Sequence, residues 1–140
     1  HSSNYNKTMV IAELNDAYDD VTGFYTSVLI DQEREAPTLF KKDDMYYMIT
    51  SGCTGWYPNA ALYAQSKHLF NGWKLIDNPC VGKDYRSTFK GQASYVFEAE
   101  GQTILMLDHW QPNDLKNSGY SFLPITFTDE GIEVVWQDTF

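Results

Sequence analysis

Apolar residues along this chain come in short runs, not at helical spacing. Thr38-Leu39-Phe40 and Met45-Tyr46-Tyr47-Met48-Ile49 flank a charged tetrapeptide, Lys41-Lys42-Asp43-Asp44. Two runs rich in aromatic and aliphatic residues around a tight polar turn predict a β-hairpin. Pro37 cannot donate to a ladder and fits the opening residues of a strand. Glu35 therefore stands at the mouth of that strand, where a carboxylate can project into a cavity. A loop of small and polar residues follows, Thr50-Ser51-Gly52-Cys53-Thr54-Gly55-Trp56. No helical period persists anywhere. Ala60 to Leu69 is the one candidate stretch, and its Tyr63-Ala64-Gln65-Ser66 reads equally as a strand leading into a turn.

The hairpin pattern recurs after 57 residues. Glu35-Ala36-Pro37-Thr38-Leu39-Phe40 lies over Gln92-Ala93-Ser94-Tyr95-Val96-Phe97, and Met45 to Ile49 lies over Gln102 to Met106. Ser51 lies over Asp108, with no gap across 17 positions. The strands beyond correspond with small slips: Ala60 to Ala64 with Ser121 to Ile125, and Gly72 to Leu75 with Val134 to Gln137. Each unit holds four strands in roughly 60 residues, the signature of propeller blades or a related array. Met9 to Glu13 resembles the third strand of such a unit and Gly23-Phe24-Tyr25 its fourth, with the first two absent. The expected architecture is all-β: about two and a half blades of a propeller, divided as a partial blade (1–30), a full blade (31–88) and a full blade (89–140). The chain opens His1-Ser2-Ser3 without Met and reads as the C-terminal portion of something longer.

Composition narrows the function classes. At 43% apolar and 16% aromatic residues the chain is not disordered, and its net charge of −9 argues against nucleic acid, whose binders carry basic patches. No apolar run approaches the roughly 20 residues of a membrane span. The cluster Asn15-Asp16-Ala17-Tyr18-Asp19-Asp20 reads as a solvated turn, since it lacks the glycine and closing glutamate of a helix-loop-helix Ca²⁺ loop. Residues 76–91 read as a long structureless connection, functional or mobile, leading into Gln92. Residues 111–119 read as a second polar loop.

The repeat makes a prediction about chemistry. In a propeller the first strand of each blade lines the central axis, so Glu35 and Gln92 should reach one axial pocket, along with Ser51 and Asp108. A carboxyl group desolvated beside aromatic rings is favoured in its acid form, as general acid catalysis near neutral pH requires. The competing reading has Glu35 in a salt bridge with Arg34 or Arg86 at a blade junction. Trp56, Trp110 and Tyr95 fall in or beside the pocket loops, where aromatic faces suit sugar rings and also simply fill cores. Trp73 and Trp136, at equivalent outer-strand positions, read as packing residues. Cys53 and Cys80, with His68 and His109, lack zinc-site spacing; a disulfide between the two cysteines and two reduced thiols both remain open. No serine elbow, phosphate loop or nucleotide motif is present.

At these residues the chain resembles glycoside hydrolase family 43. The resemblance rests on Arg34-Glu35-Ala36-Pro37, on Tyr46-Tyr47-Met48-Ile49-Thr50-Ser51-Gly52 and on the opening His1…Asn4-Tyr5. It extends through Cys53-Thr54-Gly55-Trp56-Tyr57-Pro58-Asn59-Ala60, Asn78-Pro79-Cys80, Thr88-Phe89 with Gln92, and Asp108 with Trp110. The later motifs are most similar to the branch of exo-β-1,3-galactanases.

The resemblance implies a five-bladed propeller that cleaves glycosidic bonds with inversion. It implies Glu35 as the general acid and Gln92 as a catalytic-site residue that helps place the water. Thr54, Trp56, Asp108 and Trp110 are the implied sugar contacts. An inverting pair stands about 6.5–9.5 Å apart to admit that water. No catalytic metal is implied, although the family sometimes holds an axial Ca²⁺. An oligo- or polysaccharide substrate of the β-1,3-galactan type is expected, in a secreted or periplasmic protein. An arabino- or galactofuranosidase and a non-catalytic sugar-binding propeller remain alternatives. Two uncovered blade faces would make the piece self-associate or pair with a missing N-terminal half.

Overall fold

The computed structural model describes residues 2–138. Twelve strands form three antiparallel-based sheets. The first holds β1 (Ser2–Ser3), β2 (Thr8–Leu14) and β3 (Val21–Val28) in that order. The second holds β4 (Arg34–Lys42), β5 (Met45–Gly52), β6 (Leu62–Ser66) and β7 (Lys74–Leu75), also in sequence order. The third is built from β8 (Cys80–Val81), β9 (Gln92–Ala99), β10 (Gln102–His109), β11 (Gly119–Thr128) and β12 (Gly131–Val135), in the order β8-β12-β11-β10-β9. Both expected hairpins form, around the Asp43-Asp44 and Glu100-Gly101 turns. Within Ala60 to Leu69 the residues Leu62–Ser66 form strand β6, which pairs with β5.

Three expectations are corrected. The first sheet is not reduced to two strands, because Ser2–Ser3 pairs with Thr8 and Met9 as β1. Residues 76–91 are not structureless. They hold β8, which pairs parallel to β12 through Cys80 and Val134, and a 3-10 segment, Tyr85–Lys90, broken by left-handed Thr88 and Phe89. The third sheet therefore has five strands instead of four. Residues 111–119 contain one 3-10 turn, Leu115–Asn117. His1, part of the opening motif, lies outside the described residues.

The second sheet shows why consecutive residues matter in a strand. Side chains alternate faces along β5 and β6, and cross-strand partners share a face. Ile49 pairs with Tyr63, and both join a core shared with the third sheet through Ala93, Leu105, Leu107, Leu123, Ile125, Ile132 and Val134. Their neighbours Met48 and Ala64, also paired, turn the other way and pack with Met9, Val28 and Leu29 of the first sheet. The middle sheet is thus buried on both faces. Phe40 stacks on Tyr47, which meets Phe127 edge-on, and Lys42 reaches Glu98 at 3.1 Å, so the second and third sheets are joined along their length.

The outer faces of the first and third sheets are different. Tyr25 is exposed on the first, and Tyr95, Tyr120 and Phe122 on the third, whereas Leu14 and Val21 look towards Pro37 and Leu39 of the second sheet and Phe24 meets Phe70 edge-on. Trp73 packs against the core between the first two sheets as expected, while Trp136 stands 41% exposed and is not the packing residue it was expected to be.

The β11–β12 turn depends on Gly131. Its φ of +148° lies in the region that favours glycine, and a Cβ there would stand 1.9 Å from the Tyr63 hydroxyl oxygen of the second sheet. Gly131→Ala should lower unfolding free energy by about 1–3 kcal/mol, the range for overpacking a rigid contact. Denaturant titration measures it, and an unchanged midpoint would mean that the sheets do not meet there.

Candidate active site

The open hollow where the first and second strands of the two complete sheets converge gathers Glu35, Ala36, Gly55, Trp56, Gln92 and Trp110. Ser51, Tyr57, Pro58, Asn59, Lys90 and Gly91 continue the wall beyond Trp56 and Trp110. Two local irregularities create it. The β4–β5 register runs from Glu35 opposite Ser51 to Thr38 opposite Ile49, which leaves one extra residue at Ala36-Pro37. The β9–β10 register passes from Tyr95 opposite Met106 to Ala93 opposite Leu107, which leaves Ser94 extra. These are β-bulges at equivalent points of the repeat, and a bulge bends a strand and re-aims the side chains at its end. Ala36 carries the strain of the first, with a φ of +48°.

Gln92 is held from both ends. Its Nε2 donates to Ser51 Oγ at 2.9 Å, and its Oε1 accepts from the Trp110 indole N–H at 3.1 Å. The indole can only donate, so the amide carbonyl must face Trp110 and the NH₂ must face Ser51. Glu35 accepts a 3.3 Å hydrogen bond from Asn6 Nδ2, on the turn between β1 and β2. The alternative salt bridges are not made. Arg34 spends its N–H groups on Thr50 Oγ1 at 3.0 Å, Thr50 O at 2.9 Å and Ala60 O at 3.3 Å, while Arg86 bonds the neighbouring Tyr85 hydroxyl. Burial lowers the Arg34 pKa, with nearby Cys53 and Glu35 opposing that shift.

The aromatic walls meet each other. The Trp56 and Trp110 rings are 5.4 Å apart and inclined at 69°, an edge-to-face pair with one ring from each sheet. Thr54 sits beside the hollow and staples its loop. Its hydroxyl donates to Tyr57 O and accepts from Asn59 Nδ2. Asp108 lies directly opposite Gln92 on β10. Because neighbouring Leu107 points into the core between the sheets, Asp108 turns to the other face, where it accepts from Ser94 Oγ at 3.2 Å. The structure thus brings Glu35, Ser51, Gln92, Trp56 and Trp110 together, and sets Thr54 and Asp108 around them.

Sequence reasoning missed Asn6 and Asn59. Asn59 grips Gly52 twice, accepting from its N–H at 2.8 Å and donating to its carbonyl at 2.9 Å, so it closes the loop that carries Trp56. It lay within the motif that carried the family resemblance, but nothing in its spacing marked a role. Among the described residues no group of three or more His, Cys, Asp or Glu side chains is placed to hold a metal ion. No helix among them is long and apolar enough to cross a membrane.

Cys53 and Cys80 are both free, which corrects the disulfide alternative. Cys80 is buried in the core beside Phe89 and Val134, and burial pushes its pKa up to about 12. Cys53 is exposed, its thiol donating to Glu33 O at 3.3 Å, and burial together with Glu35 and Glu33 raises its pKa.

No protein-family model and no curated protein sequence matches the chain. Solved structures do. A β-1,3-galactosidase of glycoside hydrolase family 43, solved with galactodeoxynojirimycin, superposes with a TM-score of 0.91 at 42% identity over 96% of this chain and 40% of its own. Another β-1,3-galactosidase of that family gives 0.93 at 37% identity over 98% and 30%. An exo-β-1,3-galactanase from Clostridium thermocellum gives 0.80 at 32% identity over 92% and 29%. The chain spans less than half the length of each.

The thiols offer a direct check of this packing. A disulfide reagent at neutral pH should titrate one thiol, Cys53, in the native protein and both after denaturation. Two native equivalents, or none in denaturant, would contradict it.

Proposed function

Because this chain belongs to glycoside hydrolase family 43, we propose that it is the C-terminal portion of an inverting exo-glycosidase acting on β-1,3-linked galactan side chains, completed as a five-bladed propeller. The observation that carries this reading is the meeting of Glu35 and Gln92, at matching bulges of two repeated sheets, around one hollow walled by Trp56 and Trp110.

In this reading Glu35 protonates the departing glycosidic oxygen. Asn6 holds its carboxyl group from the neighbouring turn and keeps an oxygen turned to the substrate. Gln92 cannot take a proton from water, because an amide is a poor base. Its carbonyl keeps a second lone pair beyond the one used by Trp110, and its NH₂ keeps a second hydrogen beyond the one used by Ser51. Either can orient a water against the anomeric carbon, with the proton acceptor supplied from elsewhere in the whole enzyme. The Trp56 and Trp110 rings present apolar faces to the C–H surfaces of a sugar while the polar groups meet its hydroxyls. A substrate that is a plant-type polysaccharide is reached most simply by a secreted or periplasmic enzyme, and we assign the protein there.

The exposed faces of the first and third sheets are where further blades would pack. An isolated chain should therefore self-associate or capture its missing half, and a clean monomer in sedimentation at micromolar concentration would remove that expectation.

Glu35→Gln in the full-length protein should slow hydrolysis of β-1,3-galacto-oligosaccharides by about 10²–10⁴-fold, the usual worth of a positioned acid. An aryl galactoside whose leaving group needs no proton should keep far more of its rate. Proton NMR of the first-formed galactose should show inverted anomeric configuration. Undiminished turnover of the natural linkage by the variant would take Glu35 out of the acid role, and binding without any hydrolysis by the wild type would favour the non-catalytic sugar-binding alternative.

A further inference from the structure

A second groove lies on the same end of the third sheet as the hollow. Antiparallel pairing puts the start of β9 and the end of β10 at one edge, so Gln92 and His109 are neighbours in height, and the groove runs from there towards the end of β12, where Val134 pairs with Ile125. The groove is lined by Lys83, Asp84, His109, Trp110, Trp136 and Asp138. Trp110 and Lys90 border both this groove and the hollow, so the two are continuous across Trp110.

The groove is built for binding and holds no reactive pair. Trp136 is 41% exposed, yet its ring is fixed. Its indole N–H donates to Asp138 Oδ1 at 2.9 Å, buried Phe89 supports it at 5.8 Å, and His109 meets it edge-on at 6.3 Å. His109 has both nitrogens engaged, Nδ1 with Lys90 O at 3.1 Å and Nε2 with Ser121 Oγ at 2.7 Å. A carbonyl only accepts, so Nδ1 carries the proton and the ring serves as a wall rather than a base. The remaining lining groups mix signs: Lys83 and Lys90 against Asp84 and Asp138, with the Lys90–Asp84 pair loose at 4.0 Å. A fixed, half-exposed indole between donors and acceptors of both charges suits a neutral, polyhydroxylated ring better than an anion, a cation or an apolar ligand.

We propose that this groove is a second sugar-binding surface, which holds the part of a β-linked galactan chain lying beyond the residues at Glu35 and Gln92, with Trp136 as its platform. The proposal rests on the glycosidase reading. It makes the protein length-sensitive: short substrates use only the hollow, and long ones cross Trp110 into the groove.

The test compares Trp136→Ala and Trp136→Phe with the wild type in the full-length protein. Substrates are an aryl β-galactoside, β-1,3-galactobiose and a long β-1,3-galactan. Losing the platform should cut kcat/KM on the long galactan about tenfold, the worth of one aromatic contact. It should leave the aryl galactoside and the disaccharide within twofold, and Trp136→Phe should recover most of the loss. Equal losses on all three substrates, or no loss on the long one, would overturn the proposal. If the wild type turns over none of them, the glycosidase reading fails by itself. Affinity electrophoresis in galactan then decides the groove: retardation that Trp136→Ala abolishes upholds it, and unchanged or absent retardation, as expected if a protein partner or further chain covers Trp136, rejects it.

Discussion

The hydrogen bond from the Gln92 amide to Ser51 crosses from the third sheet to the second at the point where the candidate site forms. Its length, 2.9 Å, is that of an ordinary hydrogen bond, and its direction is not free. Trp110 claims the amide carbonyl with a group that can only donate, so the NH₂ is left to face Ser51. Ser51 in turn sits opposite Glu35 in the β4–β5 ladder. Three links therefore run from the Trp110 indole through Gln92 and Ser51 to the strand position of Glu35. A shift of one sheet against the other would have to break this part-buried bond, and a hydrogen bond of that kind contributes about 0.5–1.5 kcal/mol.

That short chain of bonds can be held in register because the middle sheet has no solvent face. Met48 with Ala64 and Ile49 with Tyr63 are adjacent pairs that point in opposite directions into different cores. A slip by one residue would exchange them, putting the Tyr63 ring where a methyl group now packs. The packing therefore sets the height of β5, and with it the height of Ser51. The bulges at Ala36-Pro37 and Ser94 then turn the ends of β4 and β9 without disturbing the ladders below. Precision comes from the cores, and direction from the irregularities.

This division explains what was legible in the sequence. Alternation and turn chemistry marked the hairpins, and the 57-residue offset paired Glu35 with Gln92 before any coordinates. Pro37 even marked the strand mouth, for which the structure supplies a bulge. What failed was whatever depended on contacts between distant segments. Cys80 and Val81 are too short a run to read as a strand, and they become one only because β12 offers a free edge 54 residues later. Trp136 read like Trp73 as an outer-strand packing residue, but only Trp73 has a neighbouring sheet to cover it. Asn6 carried no signal, since its role arises from a turn that passes beside Glu35 in space and lies 29 residues away in the chain.

The repeat also poses a chemical question, since equal positions carry unequal groups. Two carboxylates facing one hollow would interact strongly, and their protons would belong to the pair and not to either residue. A glutamine at the second position removes that coupling, keeps the same reach and adds N–H donors that a carboxylate lacks. In the proposed reaction this asymmetry divides the labour: one side of the hollow delivers a proton, and the other holds a water still without competing for it. Duplication supplies the geometry twice, and the exchange of one oxygen for a nitrogen makes the two copies complementary.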